Sequence, residues 1–238
     1  MTYRTTLIWI LASLFVQRLA IVAIYYCHGG CMAYGIEETL MAAAWLVVAL
    51  RSRDRLVLNL WCFGLTCRIV ELFSDFASVS SGTLTYNPHE AFLWKSPWYM
   101  PLTWLDCIFL ITYVGLYLSE TYGNRVAIAV TGFGSVFFMF FVEWIAQYPW
   151  FWYYRSPKMV WGVPLYIIVC EVATCLALVP VCQHFQGKKL GFLWSGLLLG
   201  AVILSAGELG FVLETGKIFI PWISPPIHVD TFKPFAWG

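Results

Sequence analysis

The sequence predicts an all-α integral membrane bundle of about seven transmembrane helices, folded as a single domain over residues 1–238. Three observations predict it. Of the 238 residues, 61% are hydrophobic and only 11% are charged, whereas a soluble domain carries about 25% charged residues. The apolar residues come in long runs, and a helix needs roughly 20 of them to cross the hydrocarbon layer. Aromatic residues make up 18% of the chain, with 13 Trp, as suits interfacial belts or the lining of an apolar cavity. The net charge is +1 and no basic stripe is present, so the expected partner is the lipid bilayer and no nucleic-acid partner is expected.

The first span is expected at about 5–27, because the apolar run is too long for a signal-peptide core and no small-residue cleavage site follows it. The second, at about 36–50, is short and opens with Glu37-Glu38, so its start is expected within the interface. The third, at about 56–77, follows the basic stretch Arg51-Ser52-Arg53-Asp54-Arg55. A long aromatic stretch from Ser78 to Met100 leads to the fourth, at about 101–118, and the short stretch Ser119 to Arg125 leads to the fifth, at about 126–146. A second aromatic stretch, Gln147 to Val160, leads to the sixth, at about 161–182, and Gln186-Gly187-Lys188-Lys189 precedes the seventh, at about 190–213. Outside these spans the short-loop side holds seven Lys and Arg and the aromatic-loop side five. The positive-inside rule then puts the N-terminus in the cytoplasm and the C-terminus outside.

Among the acids inside these spans, five are taken as candidates: Glu71, Asp106, Glu143, Glu171 and Glu208. A charge at the bilayer centre costs at least about 2.5–3.5 kcal/mol, so such residues face the bundle interior and mark function. Alternation of the spans puts all five in the half of the membrane next to the aromatic loops, whichever way the protein is oriented. Glu171, about ten residues into its span, is expected to be the deepest. With Asp106 and Glu208 it is expected to carry the chemistry, and Glu143 and Glu71 to be members of the pocket or of a proton relay. Each acid has a plainer reading. Arg68 stands one helical step from Glu71 and suits a structural ion pair. Arg18 in the first span needs a partner. Asp106 lies where an acid favours the positive end of its helix, and Glu143 lies within reach of interfacial water.

Trp104, Trp144, Trp152, Trp161 and Tyr166 lie in the same half. With Tyr113 and Phe140 they are the residues expected to line a substrate pocket, where ring faces stabilise cations and carboxyls kept neutral by burial supply protons. The alternative is an interfacial belt, which also takes in Tyr148 and Trp150.

Missing motifs narrow the chemistry. There is no Asp-rich motif for magnesium diphosphate, no Gly-rich phosphate loop and no Ser nucleophile elbow. His28, His89, His184 and His228 all fall in loops or near ends, against a buried haem or di-iron site. The compact cluster Cys27-His28-Gly29-Gly30-Cys31 does not complete a zinc set. No metal and no cofactor is expected. Acid–base chemistry, or binding, on a lipid-soluble molecule remains.

The stretch Glu143-Trp144, Trp150-Phe151-Trp152-Tyr153, Trp161-Gly162-Val163-Pro164 and Glu171 resembles the membrane-bound carotenoid hydratase and cyclase-like proteins. In size and span count the chain also resembles the small seven-helix terpene cyclases of meroterpenoid and indole terpenoid pathways. The motif covers about 30 residues, and the second Trp-acid motif of the fungal cyclases is replaced by Arg68-Ile69-Val70-Glu71. The resemblance implies a non-metal terpene cyclase, or a related isomerase or hydratase, acting on a prenylated or terpenoid substrate. Such enzymes protonate an alkene or epoxide with a carboxylic acid and guide the carbocation with aromatic residues. The alternatives are a proton-coupled transporter or a ligand-binding membrane protein. A retinal-type photoreceptor needs a Lys in its last span, and Lys217 lies beyond it.

Overall fold

The computed structural model describes residues 3–26, 30–147 and 151–226. Among these residues seven segments are long and apolar enough to cross a membrane. Six are continuous helices: α1 (Tyr3–Tyr26), α2 (Gly30–Ser52), α3 (Arg55–Ser81), α4 (Met100–Tyr122), α7 (Leu165–Phe185) and α8 (Gly191–Thr215). The fifth span, Asn124–Ala146, is composite. It joins α5 (Asn124–Ala129), a π-helical turn (Val130–Gly134) and α6 (Ser135–Ala146). Two glycines, Gly132 and Gly134, fall in that turn, where the backbone most easily takes the wider winding.

The helix ends follow from local chemistry. Asp54 begins α3 by accepting the Leu56 and Val57 amides at 3.0 and 3.2 Å. Gly82 ends it in the left-handed conformation, φ 79°. On α8, Gly196 and Gly200 face α3 one turn apart. A Cβ on Gly196 would stand 2.8 Å from the Cys67 amide nitrogen, and one on Gly200 2.5 Å from the Val70 Cβ. Their missing side chains bring the two backbones close, in the small-residue packing that membrane helices favour.

Two spans differ from the sequence expectation. The second helix begins at Gly30 rather than near residue 36, so Glu37 and Glu38 sit two turns inside it. Glu38 is fully buried, and both its oxygens receive the Gln17 amide of α1 at 3.2 Å. The sixth span begins at Leu165, because residues 159–164 form a hairpin instead. Trp161 and Gly162 both take positive φ, 49° and 83°, the pairing a tight two-residue hairpin turn requires.

The two aromatic loops fold together over one end of the bundle as a β-lid, an addition to the all-α expectation. Strand β1 (Leu84–Tyr86) pairs antiparallel with β4 (Trp152–Tyr154), setting Leu84 opposite Tyr154 and Tyr86 opposite Trp152. Strands β2 (Phe92–Leu93) and β3 (Ser96–Pro97) form a second pair, and β5 (Met159–Val160) and β6 (Val163–Pro164) a third. Strand alternation turns Leu84, Tyr86, Trp152 and Tyr154 toward the bundle, where all four are buried. Cys27, His28, Tyr148, Trp150 and His228 lie outside the described residues, as does the side chain of Arg18.

Candidate functional site

Arg68, Glu71 and Asp75 stand at i, i+3 and i+7 on α3 and therefore share one face. Arg68 is fully buried. Its guanidinium pairs with Glu71 and, at 2.9 Å, with Asp75. It also lies 5.5 Å from the centre of the Trp104 ring on α4. Ser96 of the lid donates its hydroxyl to the same Asp75 oxygen. A buried charge needs this kind of pairing, since an unpaired one costs several kcal/mol.

A second carboxylate holds the other side of the lid. Glu143, near the end of α6, accepts the Trp152 indole N–H at 2.8 Å and the Tyr154 hydroxyl at 2.6 Å on one oxygen. Burial pushes the Tyr154 phenol well above its ordinary range, and the neighbouring Glu143 pushes it further. Tyr86 shifts the same way, by burial first and then by Asp75. Both phenols are therefore fixed as hydrogen-bond donors.

Glu171 differs from these. It lies six residues after Leu165, about 9 Å along the axis of α7. It is buried, and neither carboxyl oxygen meets a hydrogen-bond donor among the described residues. A carboxyl without donor or cation in such surroundings is most stable as the neutral acid.

Glu71, Asp75, Glu143 and Glu171 line one cavity, walled by Trp104 and by the lid residues Tyr86, Trp152 and Tyr154. Its volume is about 30 Å³. At roughly 10–15 Å³ per water, that holds two or three water molecules. Arg68 is the one cation that the described residues pair with this group of acids.

Glu171 and Glu71 both line the cavity, six residues from the start of α7 and ten before the end of α3. Several other expected site residues lie elsewhere. Asp106 is fully buried on α4 but does not line the cavity. Glu208 accepts the Phe219 amide at 2.9 Å and holds the segment after α8. Tyr113 packs in the apolar core with Leu60 and Phe63. Trp161 is 78% exposed at its hairpin tip, with Phe140 against it at 5.6 Å, and Trp144 is exposed as well. Tyr166 bonds Thr83 across 3.1 Å outside the cavity lining. Asp75, Tyr86 and Tyr154 belong to the site and are absent from the sequence-based set. Asp75 follows Glu71 by four residues on the same helical face, which was a readable signal.

The family model for a domain of unknown function, DUF6989, matches residues 72–213. The chain belongs to the DUF6989 family. The matched DUF6989 region takes in Asp75, Glu143, Trp152, Tyr154 and Glu171 and both lid loops, whereas Arg68 and Glu71 precede it. No curated protein and no solved structure matches the chain.

Proposed function

We propose that this chain is an integral membrane terpene cyclase, or a related isomerase or hydratase, that starts its reaction by protonation. Glu171 is the acid. The observation that carries this reading is a buried carboxyl without a donor, on the wall of a cavity whose other acids are held by a cation or by the lid. Trp104 and Trp152 supply the ring faces beside it.

In the proposed step the Glu171 O–H bond breaks and a C–H bond forms at the less substituted carbon of a substrate alkene. The alkene's π pair makes that bond and leaves a tertiary cation. A second alkene closes a ring on it, and a carboxylate of the cavity then takes a proton from the neighbouring carbon, whose C–H pair becomes the new alkene; that proton returns to Glu171 through water in the cavity. The net change is an isomerisation that needs no co-reactant. An epoxide oxygen is the alternative proton acceptor, and water capture the alternative ending. Because the closed cavity holds only a few waters, the lid lifts to admit a prenylated substrate. By the positive-inside rule the N-terminus is cytoplasmic and the lid faces the opposite side.

The test is turnover in D2O with a panel of isoprenoid hydrocarbons, alcohols and terminal epoxides, using purified protein in lipid nanodiscs. A product carrying deuterium at the protonated carbon is expected from the wild type, and loss of at least a hundredfold in Glu171→Gln. Full activity in Glu171→Gln removes the proposal.

A further inference from the structure

Beneath Glu171, away from the lid, lies a second and smaller cavity of about 10 Å³. Ile111, Met139, Cys175 and Leu178 line it, and it shares just two residues with the cavity above: Trp104 and Glu171. Its one hydroxyl, that of Thr174, is spent on the Cys170 carbonyl at 2.7 Å within α7. Glu171 thus stands between the two, with a polar space on one side and a hydrocarbon-lined gap on the other.

We infer that the lower cavity is a binding site for the branched hydrocarbon terminus of the substrate, which goes in tail first. This rests on the proposed role of Glu171 and adds the orientation and class of the ligand. An apolar cavity of this kind stays dry and takes apolar guests. A carbon protonated at Glu171 needs room for its substituents on both sides. Below Glu171 there is room for about one methyl-sized group, a second needing Met139 to move, and the lining is mostly apolar among the described residues. Above it are Arg68, the carboxylates and the lid phenols. A chain ending in two methyl groups therefore fits with its end beyond Glu171 and its polar head under the lid. Met139 is the adjustable wall, since its unbranched thioether changes rotamer readily.

The experiment uses two photoreactive probes on the full chain in nanodiscs. Both are geranylgeraniol analogues, one with a diazirine at the hydrocarbon terminus and one with it beside the hydroxyl. After irradiation, adducts are mapped by mass spectrometry. The terminal probe is expected on Ile111, Met139 or Cys175, and the hydroxyl-end probe on the lid strands. The terminal adducts are expected to fall at least fivefold in Met139→Trp or Cys175→Phe, scored on whichever variant elutes as folded protein. Terminal adducts on the lid, on lipid-facing residues alone, or no higher than in the dark control overturn the inference. So do adducts unchanged in both variants. Lid adducts with an inactive Glu171→Gln would keep the acid and remove this orientation. Adducts in the pocket with a fully active Glu171→Gln would keep the binding site and remove the acid.

Discussion

Tyr154 donates its hydroxyl to Glu143 at 2.6 Å, joining the centre of the lid to the end of the fifth span. Trp152 reaches the same carboxylate oxygen from the same strand. The lid is thus held by side chains rooted in helices, in addition to the pairing between its own strands.

Tyr154→Phe removes one of those two donors. Hydrogen bonds to charged groups contribute about 1.5–3 kcal/mol. A drop in Tm of a few to about ten degrees is expected, with faster proteolysis in residues 151–160, both read on protein in detergent. An unchanged Tm and cleavage rate would show that the strand pairing alone closes the lid.

Arg68→Met leaves Glu71 and Asp75 buried against each other without their cation. Removing one partner of a buried ion pair costs about 3–5 kcal/mol, so most folded protein is expected to be lost, as measured by fluorescence-detected size exclusion. The triple change Arg68→Met, Glu71→Gln, Asp75→Asn removes the charges together and is expected to recover folded yield.

Glu208→Gln is expected to retain both fold and activity, since Glu208 holds the Phe219 amide outside the cavity. A loss of turnover as large as in Glu171→Gln would return Glu208 to the active machinery.

Gly200→Val is expected to separate α3 from α8 and to abolish folded yield, because its Cβ would meet Val70 at 2.5 Å. Gly207→Ala is the control: its Cβ would meet only the Ser74 hydroxyl, at 3.7 Å. Equal yields would mean that the two helices separate without penalty.

The two lid phenols set an alkaline limit. Tyr86 and Tyr154 are held well above the ordinary tyrosine value of 10.0 by burial, so the folded state binds more protons than the unfolded state above that pH. Their contribution to stability is complete below about pH 10 and falls as the pH rises toward their folded values. Thermal unfolding between pH 7 and 11 should show a level Tm to about pH 9.5 and a decline above it. In Tyr86→Phe/Tyr154→Phe the decline should be shallower.

The membrane spans were legible in the sequence because hydrocarbon thickness sets the length of an apolar run. The gathering of acids toward one end was legible because it needs only the alternation of helices. Arg68, Glu71 and Asp75 were readable as one helical face, although Asp75, close to the end of its span, looks like an ordinary boundary acid. Tyr86 and Tyr154 were not readable, because their place depends on Leu84 pairing with Tyr154 across a sequence separation of seventy. A sixth span starting at 161 misplaces Trp161, because positive φ at Trp161 and Gly162 makes a hairpin there. Whether a given carboxyl is held by a donor, the feature that separates Glu171 from Glu143, comes only from packing.

The α3 charges also bear on biogenesis. Membrane helices leave the ribosome one after another, and α3 reaches the lipid long before Glu143, Trp152 or Glu171 has been synthesised. Because Arg68 is answered by Glu71 and Asp75 on its own helix, that segment can partition into the bilayer without awaiting a later partner. The later acids then meet a neighbourhood in which Arg68 is already occupied.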